Sequence, residues 1–256
     1  MQLPETVRRL TDPLLVGVPV PILSGVNRGQ WWSLVSSGSG YASGRRASAQ
    51  MDLLATLIRP GDTVWDVGAH KGFVTLCAAR RVGRTGSVHT FEPSERNRAV
   101  LRRHVRWNRW PNTVVHPFAL SDYDGECCFG GTGTSKMYAL GGGSEVVQVR
   151  IAATLVAQGI CPAPTFVKID VEGAEACTVA GLLPVLPRNA RLLIAMHGPE
   201  ADERCCSLLG DAGFRLVPSG ALERCRAGEW ESDPDLYCIG PDADDGDLEV
   251  LRDAGF

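Results

Sequence analysis

Short apolar runs alternate with helical periodicity along most of the chain. Thr63 to Val67, Ser87 to Phe91, Val114 to Leu120, Phe166 to Asp170 and Leu192 to Met196 read as strands, each rich in apolar and β-branched residues. Phe73 to Arg81, Glu95 to Arg109, Ala174 to Leu183 and Ala201 to Ala212 read as helices. Phe214 to Val217 and Leu236 to Ile239 close the set. With no helix predicted between them, these last two are expected to form a terminal antiparallel hairpin. The alternation predicts an α/β fold: a mostly parallel, Rossmann-like sheet with helices on both faces.

Two stretches depart from this pattern. The first fifty residues lack a strong period and carry a small-residue run, Ser36 to Gly40, between Trp31-Trp32 and Tyr41. Residues 1–50 are read as an N-terminal cap, leading through a helix near Ala47 to Ile58 into a main domain at 51–256. Pro60-Gly61-Asp62 marks the turn before the first long strand. Tyr123 to Val149 is glycine-rich and reads as a long mobile excursion, a lid or substrate loop, before a strand at Val146 to Ile151.

Composition narrows the classes. The chain has 256 residues, 44% hydrophobic and 21% charged, which suits a globular domain with a sizeable core. A net charge of −3 gives no electrostatic reason to expect a nucleic-acid partner. Arg102, Arg103, Arg106 and Arg109 fall on one predicted helix and read as its solvated face. Nine cysteines occur with no C-x-x-C spacing, so they are expected to be free thiols of a cytoplasmic protein. The apolar stretch Leu14 to Leu23 is short and holds Pro19 and Pro21, and predicts neither a leader nor a membrane span.

The strongest chemical signal is VWDVGAHKG, Val64 to Gly72. A strand ending in Asp66 is followed by Gly68, Ala69 and Gly72, then a helix. Gly68 is expected to let the backbone approach a ligand, and Gly72 to let the helix start pack closely. A dinucleotide site would want G-x-G-x-x-G, but Asp66 occupies the first glycine position, where it repels phosphate and favours a cationic ligand. The second signal is HTFEP, His89 to Pro93. Glu92 ends the second strand, about 20 residues past the glycine turn, where an acid binds ribose hydroxyls. The third is FVKIDVEGAE, Phe166 to Glu175, which puts Asp170 at a strand's carboxyl end. Glu172 and Glu175 read as acids favoured at a helix N-terminus.

VWDVGAHKG, FEP, FALSD (Phe118 to Asp122), KIDVEGAE and His197 after the next strand together resemble the FkbM-type methyltransferase family, from about Tyr41 to Pro218. The resemblance implies a class I methyltransferase fold, with S-adenosylmethionine as donor and a hydroxyl of a sugar or specialised metabolite as acceptor. It places the turn at Gly68, Ala69 and Gly72 near the methionine part, Glu92 and Pro93 at the ribose, and Ala119, Ser121 and Asp122 near the adenine. The family often shows T-L-D and Glu-x-His where this chain has Thr154-Leu155-Val156 and Ala195-Met196-His197. Those departures bear on the acceptor side. An NAD-dependent oxidoreductase and a non-catalytic donor-binding domain remain as alternatives.

An alcohol acceptor needs its proton removed. His197, as a neutral imidazole, and Asp170 are the expected catalytic groups. Asp170 and Glu172 show no distinctive ligand spacing, so no metal is expected.

Overall fold

A computed structural model describes residues 17–34, 41, 43, 49–130, 139–140, 144–228, 230 and 234–256. Strands β1 (Pro19–Pro21) and β2 (Trp31–Ser33) pair antiparallel and are followed by helix α1 (Ala49–Leu57). Trp32 of β2 is buried and stacks on His104, centroids 3.8 Å apart, which seats the hairpin on the main body. Ala47 and the run Ser36 to Gly40 lie outside the described residues.

The chain then alternates: β3 (Thr63–Val67), α2 (Phe73–Val82), β4 (Ser87–Phe91), α3 (Glu95–Asn108) and β5 (Thr113–His116). A second group, β6 (Phe118–Ser121), β7 (Gly125–Gly130), β8 (Ala139–Leu140) and β9 (Glu145–Ile151), leads into α4 (Ala152–Ala157). Alternation resumes with β10 (Phe166–Ile169), α5 (Glu175–Leu182), β11 (Arg191–Ala195), α6 (Pro199–Asp211) and β12 (Arg215–Pro218). Helix α7 (Gly220–Ala227), β13 (Asp235–Ile239) and α8 (Asp247–Asp253) complete it.

The large sheet has seven strands in the order β12-β13-β11-β10-β3-β4-β5. Neighbours from β11 to β5 pair parallel, while β13 runs antiparallel to both β11 and β12. Its five inner strands, from β13 to β4, are buried on both faces, as a helix-covered sheet requires. One face packs Trp65, Phe91, Ile169 and Ile194 against α5 and α6 through Val179, Leu182, Cys205 and Leu209. The other packs Val64, Val88, Phe166 and Leu193 against α1, α2 and α8 through Leu54, Leu57, Ala78 and Leu251.

Three sequence expectations change. Val114 to Leu120 is not one strand: it breaks at Pro117, which has no N–H to continue a ladder, so β5 edges the large sheet while β6 pairs with β9. The last two strands do pair, but α7 connects them and β13 sits inside β12. The Ser219 hydroxyl caps α7 by accepting from the Leu222 N–H at 3.2 Å, a start signal that Gly220 obscured. The glycine-rich excursion is largely a small sheet, order β6-β9-β7-β8, in which β9 turns Val147 and Val149 inward. Residues 131–138 and 141–143, which hold most of its glycines, lie outside the described residues. All nine cysteines are free. Among the described residues no helix is long and apolar enough to cross a membrane.

Candidate active site

Strand order reverses between β3 and β10, since the chain moves outward from β3 to β4 and β5 but from β10 to β11 on the other side. Ligands of open α/β sheets bind at the carboxyl ends beside such a reversal. The two strands meet there at Gly68. Its φ is 83°, and a Cβ would stand 1.8 Å from the Asp170 carbonyl oxygen. The close approach that demands glycine is therefore to the protein's own backbone. The N–H groups of Gly68 and Ala69 both donate to the Phe91 carbonyl, at 3.0 and 3.1 Å. Gly72, at φ 87°, does pack closely, because a Cβ would come within 2.2 Å of Leu101 on α3.

Asp66 is 2% exposed and accepts the Thr75 hydroxyl at 2.5 Å, so it forms the floor beneath the turn rather than a face open to ligand. Burial pushes its carboxyl up to about 6, against the Thr75 bond and the charge of Lys168. Glu92 is also buried, and its two oxygens are already engaged. The His70 N–H donates to Oε2 at 2.7 Å and the Ser94 N–H to Oε1 at 2.9 Å. Glu92 thus ties the turn after β3 to the turn after β4, leaving lone pairs for further donors. Burial raises its carboxyl to about 7, against the Ser94, Asn97 and His70 bonds and the Arg98 charge.

Pro93 is buried, and its carbonyl accepts from Arg98. Ala119 and Ser121 are buried at the end of β6, while Asp122 is exposed. Helix α5 fixes that segment: the Thr178 hydroxyl donates to the Leu120 carbonyl at 3.0 Å, and Gly181 leaves room for the Ser121 carbonyl.

Across the crevice, Asp170 follows β10, half-exposed, and His197 follows β11. His197 Nε2 lies 3.6 Å from Asp170 Oδ1 and 3.6 Å from Glu172 Oε2. Its Nδ1 is 2.8 Å from Oε1 of the fully buried Glu175. Burial opposes charge on the ring, but the Glu175 bond and the carboxylates of Glu175, Asp170 and Glu172 outweigh it and hold its pKa up to about 9. These carboxylates favour the cationic form of the ring, where the sequence led to the expectation of a neutral base. Sequence reasoning missed Glu175 as its clamp, because an acid at a helix start needs no burial to be explained. It also left Lys168 without a role: this buried amine stands 3.9 Å from Asp170 Oδ2 and 4.0 Å from Asp235 Oδ1.

The fold and the crevice define a class I methyltransferase architecture. The FkbM methyltransferase domain model matches residues 66–216, and the chain belongs to that family of S-adenosylmethionine-dependent enzymes. The hexuronic acid methyltransferase AglP of Haloferax volcanii is 26% identical over 66% of this chain and 71% of its own length. The crystal structure of methyltransferase FkbM from Methylobacillus flagellatus is similar with a TM-score of 0.51 and 19% identity, over 72% of this chain. That match spans only 45% of the longer FkbM chain. A putative rRNA-methylase from Clostridium thermocellum shares the fold at a TM-score of 0.50 and 13% identity, over 75% of this chain and 92% of its own. The family match sets aside the dinucleotide alternative.

Proposed function

We propose that this protein transfers the methyl group of S-adenosylmethionine to a hydroxyl of a sugar acid. The observation that carries the reading is the crevice itself. One side is the glycine turn braced by Glu92; the other presents Asp170 and His197. The donor lies over Gly68, Ala69 and Gly72, its ribose hydroxyls reach Glu92 beside Pro93, and its adenine lies along Ala119, Ser121 and Asp122, with Asp66 beneath. Asp170 borders both donor and acceptor. The relative acting on a hexuronic acid supplies the substrate class.

Methyl transfer is an in-line displacement, so holding donor and acceptor together supplies much of the acceleration. Labelled donor should methylate glycosides of glucuronic acid and leave glucosides untouched, with an O-methyl ether identified by NMR. Methylation of neutral sugars alone, or a methyl ester as product, would overturn the acceptor assignment. Donor binding with no transfer to any sugar would mark a non-catalytic binding domain.

Donor binding should also depend on pH through Glu92. Hydroxyl donors favour its ionised form, whereas the free protein holds its proton up to about pH 7. Binding below that pH must expel the proton. Affinity for S-adenosylhomocysteine should therefore fall about tenfold from pH 8 to pH 6, roughly one factor of ten per unit below the pKa. Calorimetry on wild type and Glu92→Gln checks this, because the variant lacks this proton while Asp66 still titrates. An identical slope in both proteins would remove Glu92 from the ribose site.

A further inference from the structure

The acceptor side of the crevice concentrates donor atoms in a way that spacing along the chain does not show. Asp170 directly follows β10, Glu172 occupies a left-handed turn at φ 52°, and His197 comes from the neighbouring loop after β11. One oxygen of each carboxylate and one ring nitrogen lie within 4.8 Å of one another. The 3.6 Å separations from Nε2 to Asp170 and Glu172 are too long for hydrogen bonds. They are close to the spacing of donors that share an ion: bonds of about 2.1 Å put adjacent octahedral ligands about 3 Å apart and opposite ones about 4.2 Å apart.

The other side of the ring is arranged to match. Oε1 of Glu175 holds Nδ1 at 2.8 Å and also accepts the Gly173 N–H at 3.0 Å. A carboxylate on the far nitrogen, fixing ring orientation, is the usual support of a metal-bound histidine. A separate observation is the second oxygen of Glu175. Oε2 is buried without a hydrogen-bond partner among the described residues, so a fully desolvated carboxylate abuts the cluster with half its acceptors unmet. The protonated His197 ring compensates part of that charge, and a metal ion that displaces its Nε2 proton would supply positive charge in the same place.

We propose that Asp170, Glu172 and His197 bind a divalent cation of the Mg²⁺ and Mn²⁺ class, with Glu175 as the positioning residue. Two carboxylate oxygens suit Mg²⁺ and Mn²⁺, and the imidazole nitrogen favours Mn²⁺ of the two. The role of the cation rests on the acceptor reading above. Bare carboxylates would repel a sugar acid, and a divalent ion among them offsets the charges of Asp170 and Glu172. The remaining coordination positions take the acceptor hydroxyl and the sugar carboxylate, which lowers the hydroxyl pKa. As the methyl moves, the O–C bond forms and the S–C bond breaks. The sulfur keeps that electron pair as a neutral thioether, and the hydroxyl proton leaves to solvent at the open mouth beside Asp170.

Mn²⁺ titrated into chelator-stripped full-length protein, followed by loss of the free-ion EPR signal, tests the site. Wild type should bind one equivalent, displaceable by Mg²⁺. Glu175→Gln should weaken Mn²⁺ binding about 10–100-fold, the usual cost of losing a group that orients a ligand, and Glu172→Gln, which removes a ligand, by at least as much. Both should retain S-adenosylhomocysteine binding by calorimetry, which certifies the fold. Wild-type protein that ignores Mn²⁺, or a folded Glu172→Gln that binds it equally well, overturns the proposal. Methyl transfer by a protein that binds no metal would sink this site and leave the methyltransferase reading standing. Mn²⁺ bound at these residues without transfer would do the reverse.

Discussion

Arg191→Met should lower the unfolding free energy by about 3–5 kcal/mol, the usual cost of removing one partner of a buried ion pair. The residue sits at the start of β11, at the opposite edge of the sheet from the crevice, and is 3% exposed. One guanidinium nitrogen donates to both Asp62 oxygens at 3.0 and 2.8 Å; the other donates to the Leu57 carbonyl at 2.6 Å and to Asp247 at 3.2 Å. Arg191 thus ties β11 to α1, to the turn before β3 and to α8, where Tyr237 of β13 shares Asp247 through a hydroxyl bond at 2.6 Å. Burial raises the Tyr237 hydroxyl well above its usual value, with the Asp247 charge adding to it. Methionine fills much of the volume but leaves Asp62 and Asp247 buried without that cation. The urea midpoint should fall with an unchanged slope. Affinity for S-adenosylhomocysteine, measured on folded protein, should stay at the wild-type value. A loss under about 1 kcal/mol, the scale of an exposed pair, would show that Arg59 alone satisfies both acids.

Arg191 also shows where a sequence stops being legible. A lone arginine before an apolar run looks like a solvated lead-in, because nothing local announces partners 129 and 56 residues away. The strands themselves were readable, since burial on both faces makes them unbroken apolar runs. So was the turn from Asp66 to Gly72, where backbone conformation restricts the residue. The reason for Gly68 was not. Its constraint comes from Asp170, which reaches it only when β10 pairs with β3. His197 was legible at a sheet edge, but the carboxylates that favour its cationic form were not. Its protonation depends on Glu175, Asp170 and Glu172 converging from one turn and one helix start. Glu92 was identified as an acid at the right strand end. That its oxygens brace two turns required the positions of the His70 and Ser94 amides.

His197→Asn should leave donor affinity at the wild-type value while lowering the single-turnover rate on the order of 10²-fold or more, the cost of misplacing the acceptor. Glu175 consumes the Nδ1 side of the ring, so the edge that meets the acceptor is Nε2, between Asp170 and Glu172. Asparagine keeps a polar group but does not reach that position, and it leaves the buried Glu175 without its ring partner. The proposed donor contacts are at and after the ends of β3, β4 and β6, so S-adenosylhomocysteine should bind the variant normally. Glu175→Gln should fall between the two, since its amide can still engage the ring but without charge. The measurement is methyl transfer at saturating donor and acceptor, on protein shown to be folded by its unfolding transition. A purely structural histidine gives a different result: a lower midpoint with a rate per folded molecule within a few-fold of wild type. That outcome would assign the acceleration to proximity and to Asp170.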